Sequence, residues 1–216
     1  YEISMQSAER RVFDLLNSME WQLQSEKKSG NIWKMRCNIT ENNMFRYEGI
    51  IRNRTPLEVA ILIHPEGVHR CKWDSQSSGT HLIARVKENT SVIRHDTKSR
   101  LMGVVSAREA VNLCRFTTDP NDGARSVVMV SVAHPSAPLR EGIVRVHTHP
   151  SLLVISPSGS DTKVISIIQA ELHLMGVPNG ITDTLIPKGI MKFFDDLQSY
   201  AANHLKLNYN DSLTGW

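Results

Sequence analysis

Residues 184–205 read TLIPKGIMKFFDDLQSYAANHL, and the spacing of their apolar members decides the architecture. Leu185, Ile190, Phe193, Phe194, Leu197, Tyr200, Ala201 and Leu205 form a broad stripe at helical period, with Asp195, Asp196, Gln198 and Lys206 off it. The pattern predicts a long amphipathic helix near the C-terminus, with Asp183 or Thr184 as its N-cap and a frayed tail over residues 208–216. A helix with so wide an oily face has to lie on a larger apolar surface.

Upstream, the period changes to two. Trp33, Met35, Cys37 and Ile39 alternate with Lys34, Arg36 and Asn38, and Phe45, Tyr47 and Gly49 alternate with Arg46, Glu48 and Ile50. Turn-forming clusters at Ser29-Gly30-Asn31 and Glu41-Asn42-Asn43 separate these runs, so they read as antiparallel strands with one face buried and the other wet. Strand-like segments return at residues 81–86, 91–96, 108–116, 126–133, 143–148, 152–156 and 163–172, about nine strands in all. Thr55-Pro56-Leu57-Glu58 supplies an N-cap, a first-turn proline and an acid ahead of Val59 to Ile63, the signature of a short helix. Over residues 4–19, Met5, Ala8, Val12, Leu15, Leu16 and Met19 recur at helical spacing, a second amphipathic helix. The order predicts an α+β fold, with helices gathered on one side of an antiparallel sheet and a single domain over residues 1–207. A curved sheet closed over by one long helix leaves a concave apolar face with the helix as its lid.

Composition narrows the function. At 216 residues the chain is long enough to bury a substantial core, and its 40% apolar and 22% charged content is that of a globular domain. The longest apolar stretches, residues 127–133 and 152–155, fall far short of the ~18–20 residues that cross a bilayer. The net charge of +3 is scattered, which argues against a nucleic-acid surface and leaves a weak attraction to anionic headgroups. Cys37, Cys71 and Cys114 are an odd set without metal-type spacing, so the expected setting is a reducing cytoplasm. The chain opens on Tyr1 without a secretory h-region, which points to a domain excised from a longer protein.

Several motifs, taken in order, resemble the START (StAR-related lipid transfer) family. Residues 46–51, Arg-Tyr-Glu-Gly-Ile-Ile, resemble its third strand, and Lys72-Trp73-Asp74 its Trp-Asp signature. Residues 104–111 resemble its Ser-Pro-Arg-Asp/Glu-aromatic segment, with Ala107 for the proline and Ala110 for the aromatic. Val144-Arg145 with His149-Pro150, and Gly176-Val177-Pro178, match further pairs. The resemblance implies a helix-grip fold, a nine-stranded sheet wrapped round the C-terminal helix, enclosing a tunnel for a sterol, phospholipid, sphingolipid or bile acid. It implies a non-enzymatic lipid carrier that needs no cofactor, touches membranes transiently and binds no nucleic acid.

The resemblance also selects tunnel residues. Arg70 and Asp74 flank Trp73 at i and i+4, and their family counterparts in some members meet a headgroup or each other; the bland reading is a surface ion pair. Asp96 sits near the acid of cholesterol-binding members, but Cys114 replaces the arginine that pairs with that acid, and Arg115 should face the other side of its strand. Cys114, Met129 and Met175 suit an adaptable tunnel wall or plain core. Met102 falls at the mouth, Leu185 and Phe194 on the lid, and His147 offers a hydrogen bond from a strand. Two other functions compete. One is a lipid-regulated module of a larger protein without transfer activity. The other is a zinc hydrolase, because His147-Thr148-His149-Pro150 with Ser158 and Asp161 resembles the metal site of JAMM-type metallo-isopeptidases.

Overall fold

The computed structural model describes residues 1–37, 43–67, 69–99, 106–173 and 179–203, with the side chains of the last helix from residue 183 onward. Helix α1 (Glu2–Leu16) precedes a meander of β1 (Gln22–Lys27), β2 (Gly30–Arg36) and β3 (Asn43–Ile51). Helix α2 (Pro56–Ile63) and the one-turn α3 (Arg70–Trp73) lead to a second meander, β4 (Ser77–Lys87), β5 (Thr90–Thr97), β6 (Arg108–Thr118) and β7 (Arg125–Ser131). Two short strands, β8 (Val144–Arg145) and β9 (His147–Thr148), run into the hairpin β10 (Ser151–Ser158) and β11 (Asp161–Ile168). Then come β12 (Ala170–Glu171) and the long α4 (Asn179–Asn203). The large sheet has the order β1-β2-β3-β11-β10-β7-β6-β5-β4, antiparallel throughout, with β8 pairing parallel to β6.

Both faces of this sheet are covered, which corrects the expectation of one wet face and of helices on one side only. Met5, Ala8, Val12 and Leu15 of α1 pack on Met35, Met44, Val92, Val111 and Leu113, the outward positions of their strands. The opposite face packs Ile32, Phe45, Tyr47, Ile93, Phe116 and Leu153 against α2, α3 and α4. The alternation of side chains accounts for the division. Ile32 pairs with Tyr47 inside, Met35 with Met44 outside, so the two runs read from sequence present opposite faces. Outside, Trp21 Nε1 and Arg46 Nη1 donate to the carbonyls of Leu15 and Leu16 and so complete the C-terminal end of α1. Arg115, outward on β6, pairs with Glu2 and Glu9 of the same helix.

On the inner face, α4 is anchored at one end of the sheet. Tyr47 of β3 and Phe194 of α4 stack with ring centroids 3.8 Å apart and 3° between planes. Room for the tyrosine depends on glycine: a Cβ at Gly49 would stand 2.0 Å from its hydroxyl, and one at Gly30, whose φ is +149°, 2.6 Å from its ring. Gln198 Nε2 donates to the Ser29 carbonyl at 2.7 Å and to the Tyr47 hydroxyl at 3.3 Å. Arg54, buried at the β3–α2 turn, donates twice to the Ala201 carbonyl in the last turn of α4. The helix begins at Asn179, earlier than predicted, so Asp183 is not its cap. Pro187 lacks an N–H for the Asp183 carbonyl, and Gln24 Nε2 reaches that carbonyl at 3.4 Å instead. For α2 the reading of Thr55 holds, with a complete capping box to Glu58.

A charge cluster pins the 132–143 segment to the β5–β6 edge. Glu109, buried on β6, accepts from Arg140 Nε at 2.6 Å and Arg145 Nε at 2.8 Å, and Arg140 Nη2 reaches Asp96 at 2.5 Å. Burial alone would raise the Glu109 pKa, but hydrogen bonds from Arg145 and Arg140 hold it below the usual 4.5. Its contribution is therefore present above about pH 4.5 and is lost as pH falls through the depressed folded value. Glu109→Gln is expected to cost about 2–3 kcal/mol at neutral pH, low for a buried pair because Arg140 is partly exposed. Thermal melts at several pH values check this, and the deficit should shrink as pH falls below 4.5 and through the depressed folded value, where the wild-type carboxylate protonates.

Candidate functional site

Because α4 rests on β2, β3, α2 and α3, its N-terminal half spans β5–β7 and β10 without filling the space beneath. A cavity of about 450 Å3 remains there. Inward positions set its wall: Cys114 and Phe116 of β6, Val127 and Met129 of β7, Leu153 of β10 and Ile190 of α4. The wall is mostly apolar, and no side chain of the described residues crosses it to fill it.

Polar groups converge at one part of the wall. Arg70 Nε donates to Asp74 Oδ2 at 3.3 Å, and the guanidinium lies 5.2 Å from the Phe193 ring centroid. The other Asp74 oxygen accepts the backbone N–H groups of Gln76 and Ser77 at 3.1 and 3.2 Å, so the acid is fully engaged. His95, inward on β5 beside Ile93, also lines the space. Its burial, followed by the nearby charges of Arg70 and His81, pushes its pKa down to about 3, so it is neutral at physiological pH. Asn112, inward on β6, accepts from Ser131 Oγ at 3.0 Å and keeps its amide on the wall. The charges of Arg70 and Asp74 balance each other and His95 adds none, so these groups together carry no net charge.

Cys114 also faces the cavity, and burial pushes its thiol up to about 12 despite the opposing charge of Arg70. A thiol held protonated is a poor nucleophile. The wall can therefore solvate an oily body and orient one small polar group by hydrogen bonds.

The structure brings Arg70, Asp74, Cys114, Met129, Leu185 and Phe194 together on this wall. Asp96 lies at the rim, but its carboxylate is taken by Arg140, by His81 at 3.3 Å and by Arg94 at 3.4 Å. Met102 lies outside the described residues, as does Met175. His147 is exposed and off the wall, because its neighbour Thr148 takes the inward position of β9; this corrects its assignment to the tunnel. Its ring lies 4.7 Å from that of His149, which bonds Glu171 at 2.6 Å.

The same placement undoes the zinc reading. Asp161 sits at the turn of the β10–β11 hairpin, accepting from Asn53 N at 2.8 Å, whereas His147 and His149 precede the opposite end of β10. Eight extended residues separate the two ends, a distance on the order of 20 Å. His95, Asn112 and Gln76 are wall residues that sequence reasoning missed. The signal for His95 was present, since it shares the parity of Ile93 while Asp96 does not.

Comparison with known proteins agrees with this geometry. Residues 12–205 match the model of the START domain. StAR-related lipid transfer protein 5 of Homo sapiens is 31% identical over 159 residues, 72% of this chain and 74% of that protein. StAR-related lipid transfer protein 4 of Homo sapiens is 22% identical over 183 residues, 83% of this chain and 85% of that protein. The solved structure of human StAR-related lipid transfer protein 5 superposes with a TM-score of 0.84 at 25% identity, covering 93% of this chain and 97% of that one.

If His95 borders the cavity as described, it stays neutral far below the ordinary histidine value of about 6.5. Imidazole NMR titration should show it uncharged at pH about 5, with protonation only on approach to pH 3. A titration midpoint near the ordinary value would place the ring in solvent.

Proposed function

The chain belongs to the START domain family, and from that membership and the cavity we propose that it binds a single lipid between its sheet and α4 and carries it between membranes. The observation that carries this reading is the largely apolar space of about 450 Å3 beneath α4, with polar side chains at one part of its wall where the Arg70 and Asp74 charges are paired. That volume falls in the range of small-molecule sites, roughly 300–1,000 Å3. Burying about 300 Å2 of apolar lipid surface contributes roughly 7 kcal/mol before the ordering costs of binding. Arg70, His95 and Asn112 then orient the polar head, and a sterol or comparable compact amphiphile suits them. The relatives are named for lipid transfer, which supports the same activity here.

The reading is of a carrier and not of an enzyme. A wall whose thiol is held protonated and whose acids, Asp74, Asp96 and Glu109, are each engaged by arginine favours holding over chemistry. Exchange of the guest requires α4 or a neighbouring loop to move outward, since the sheet cannot open without breaking its ladder. Transient contact with a membrane surface in the cytoplasm fits that step. A module that senses lipid for a larger protein would share the cavity but not the exchange.

Met129→Trp projects a larger side chain into the cavity from β7. It should lower affinity for a fluorescent lipid about tenfold or more, with the melting temperature shifted by only a few degrees. Vesicle-to-vesicle transfer should fall with it. Unchanged binding would contradict occupancy of this cavity, and binding without any transfer by the wild type would favour the sensor.

A further inference from the structure

One polar group on the cavity wall has its direction set by bonds that run away from the cavity. Asn112 stands opposite Ser131 in the β6–β7 pair, is 3% exposed and lines the space beneath α4. The backbone N–H of Thr148 donates to Ser131 Oγ at 2.8 Å, and that hydroxyl donates to Asn112 Oδ1 at 3.0 Å. Neither the Asn112 nor the Ser131 side chain makes a further hydrogen bond to a described residue.

The order of these bonds decides which end of the amide meets a guest. With the Thr148 N–H already on the serine oxygen, the serine proton needs an acceptor, and Oδ1 supplies it. In the reversed amide Nδ2 would donate to the serine oxygen, and the serine proton would have no acceptor among the described residues. The hydrogen-bond network therefore assigns Oδ1 to Ser131 and leaves Nδ2, a buried donor, to the cavity. The other polar groups of this part of the wall add few acceptors. Both Asp74 oxygens are taken, and the Cys114 thiol donates to the Asn112 carbonyl at 3.8 Å. Arg70 keeps N–H groups beyond the one it gives to Asp74. Uncharged His95, diagonal to Asn112 across the β5–β6 pair, has one donor and one acceptor.

We propose that Asn112, held by Ser131 and Thr148, is the specificity-determining donor of this site, and that it selects lipids whose buried head is an uncharged acceptor oxygen, a hydroxyl or a carbonyl, over heads that are cationic or lack oxygen. The inference rests on the carrier reading and deepens it. A hydroxyl can accept from Asn112 while it donates to His95, and a carbonyl accepts without having to donate. An ammonium brings only donors to a wall that already presents Nδ2 and the Arg70 guanidinium. A head without oxygen leaves Nδ2 buried and unpaired, and sites built round a hydrogen bond reject such guests strongly. Ser131 touches no guest in this scheme; it is a positioning residue that acts through Asn112.

The test offers the full chain, stripped of lipid, an equimolar mixture of sterols of similar shape that differ in the head: cholesterol, cholestenone, cholestane and aminocholestane. Native mass spectrometry followed by extraction gives the share of each bound. Cholesterol and cholestenone should bind similarly well and about tenfold or more above cholestane, with the amine at or below cholestane. Asn112→Leu should bring both oxygen-headed sterols down to the level of cholestane. Ser131→Ala should lower their preference over cholestane several-fold, and Ser131→Thr should keep it. Cholestane reads the oily part of the cavity and should bind alike in all variants; equal loss of every sterol in Asn112→Leu would mark a merely structural residue and overturn the proposal. The wild-type series stands without any variant: rejection of cholestenone with acceptance of the amine would reverse the amide and overturn the donor. An unchanged preference in Asn112→Leu overturns the specificity role. Uptake of some other lipid from mixed vesicles, with none of the sterols bound, overturns the head class. Failure of the carrier reading would show separately, as a chain that takes up no lipid of any kind.

Discussion

The stack of Tyr47 against Phe194 fixes the distance at which α4 stands from the sheet. It requires glycine at two positions of the neighbouring backbone, and the Gln198 and Arg54 hydrogen bonds extend it along the C-terminal half of the helix. A helix held so firmly at one end cannot also collapse onto β5–β7 at the other. The cavity is the result, an empty space kept open by packing elsewhere. Interiors otherwise fill to crystalline density, so a void of this size costs stability unless a guest occupies it.

The outer helix makes this arrangement affordable. With α1 covering Val92, Val111 and Leu113, the strands that leave the inner void are still packed on their other face. The charge cluster of Asp96, Glu109, Arg140 and Arg145 reinforces the same β5–β6 region at its edge. Rigidity is thus concentrated in the wall, and the seam between α4 and the α3–β4 junction is left with a handful of polar contacts. The part most able to yield lies beside the cavity.

Much of this was legible from residue order. The alternation through Phe45 and Tyr47 gave a buried strand, Thr55 with Glu58 gave a capped helix, and the stripe through Leu185 and Phe194 placed the last helix on the sheet. Strand β1 was missed because Gln22–Lys27 is an edge strand exposed at nearly every position, with no period to read. The side on which α1 docks was hidden for another reason: periodicity says that a helix has a buried face but not which surface receives it. For the site, the family resemblance pointed to Arg70 and Asp74, whose i,i+4 spacing is that of the ion pair they form. His95 and Asn112 depended on strand parity and register across three strands, which no single stretch of sequence carries. Asp96 came from the family resemblance and His147 from its hydrogen-bonding chemistry, yet by parity Asp96 reaches only the rim of the cavity and His147 lies off its wall.

The central claim is that the space beneath α4 holds a whole lipid molecule. Native mass spectrometry of the purified chain, followed by solvent extraction and lipid identification, tests it most directly. The account predicts a second mass series offset by one lipid, recovered on extraction and abolished when the cavity is filled by a larger side chain. A single series at the mass of the bare polypeptide, persisting after incubation with sterol- and phospholipid-containing vesicles, would contradict it.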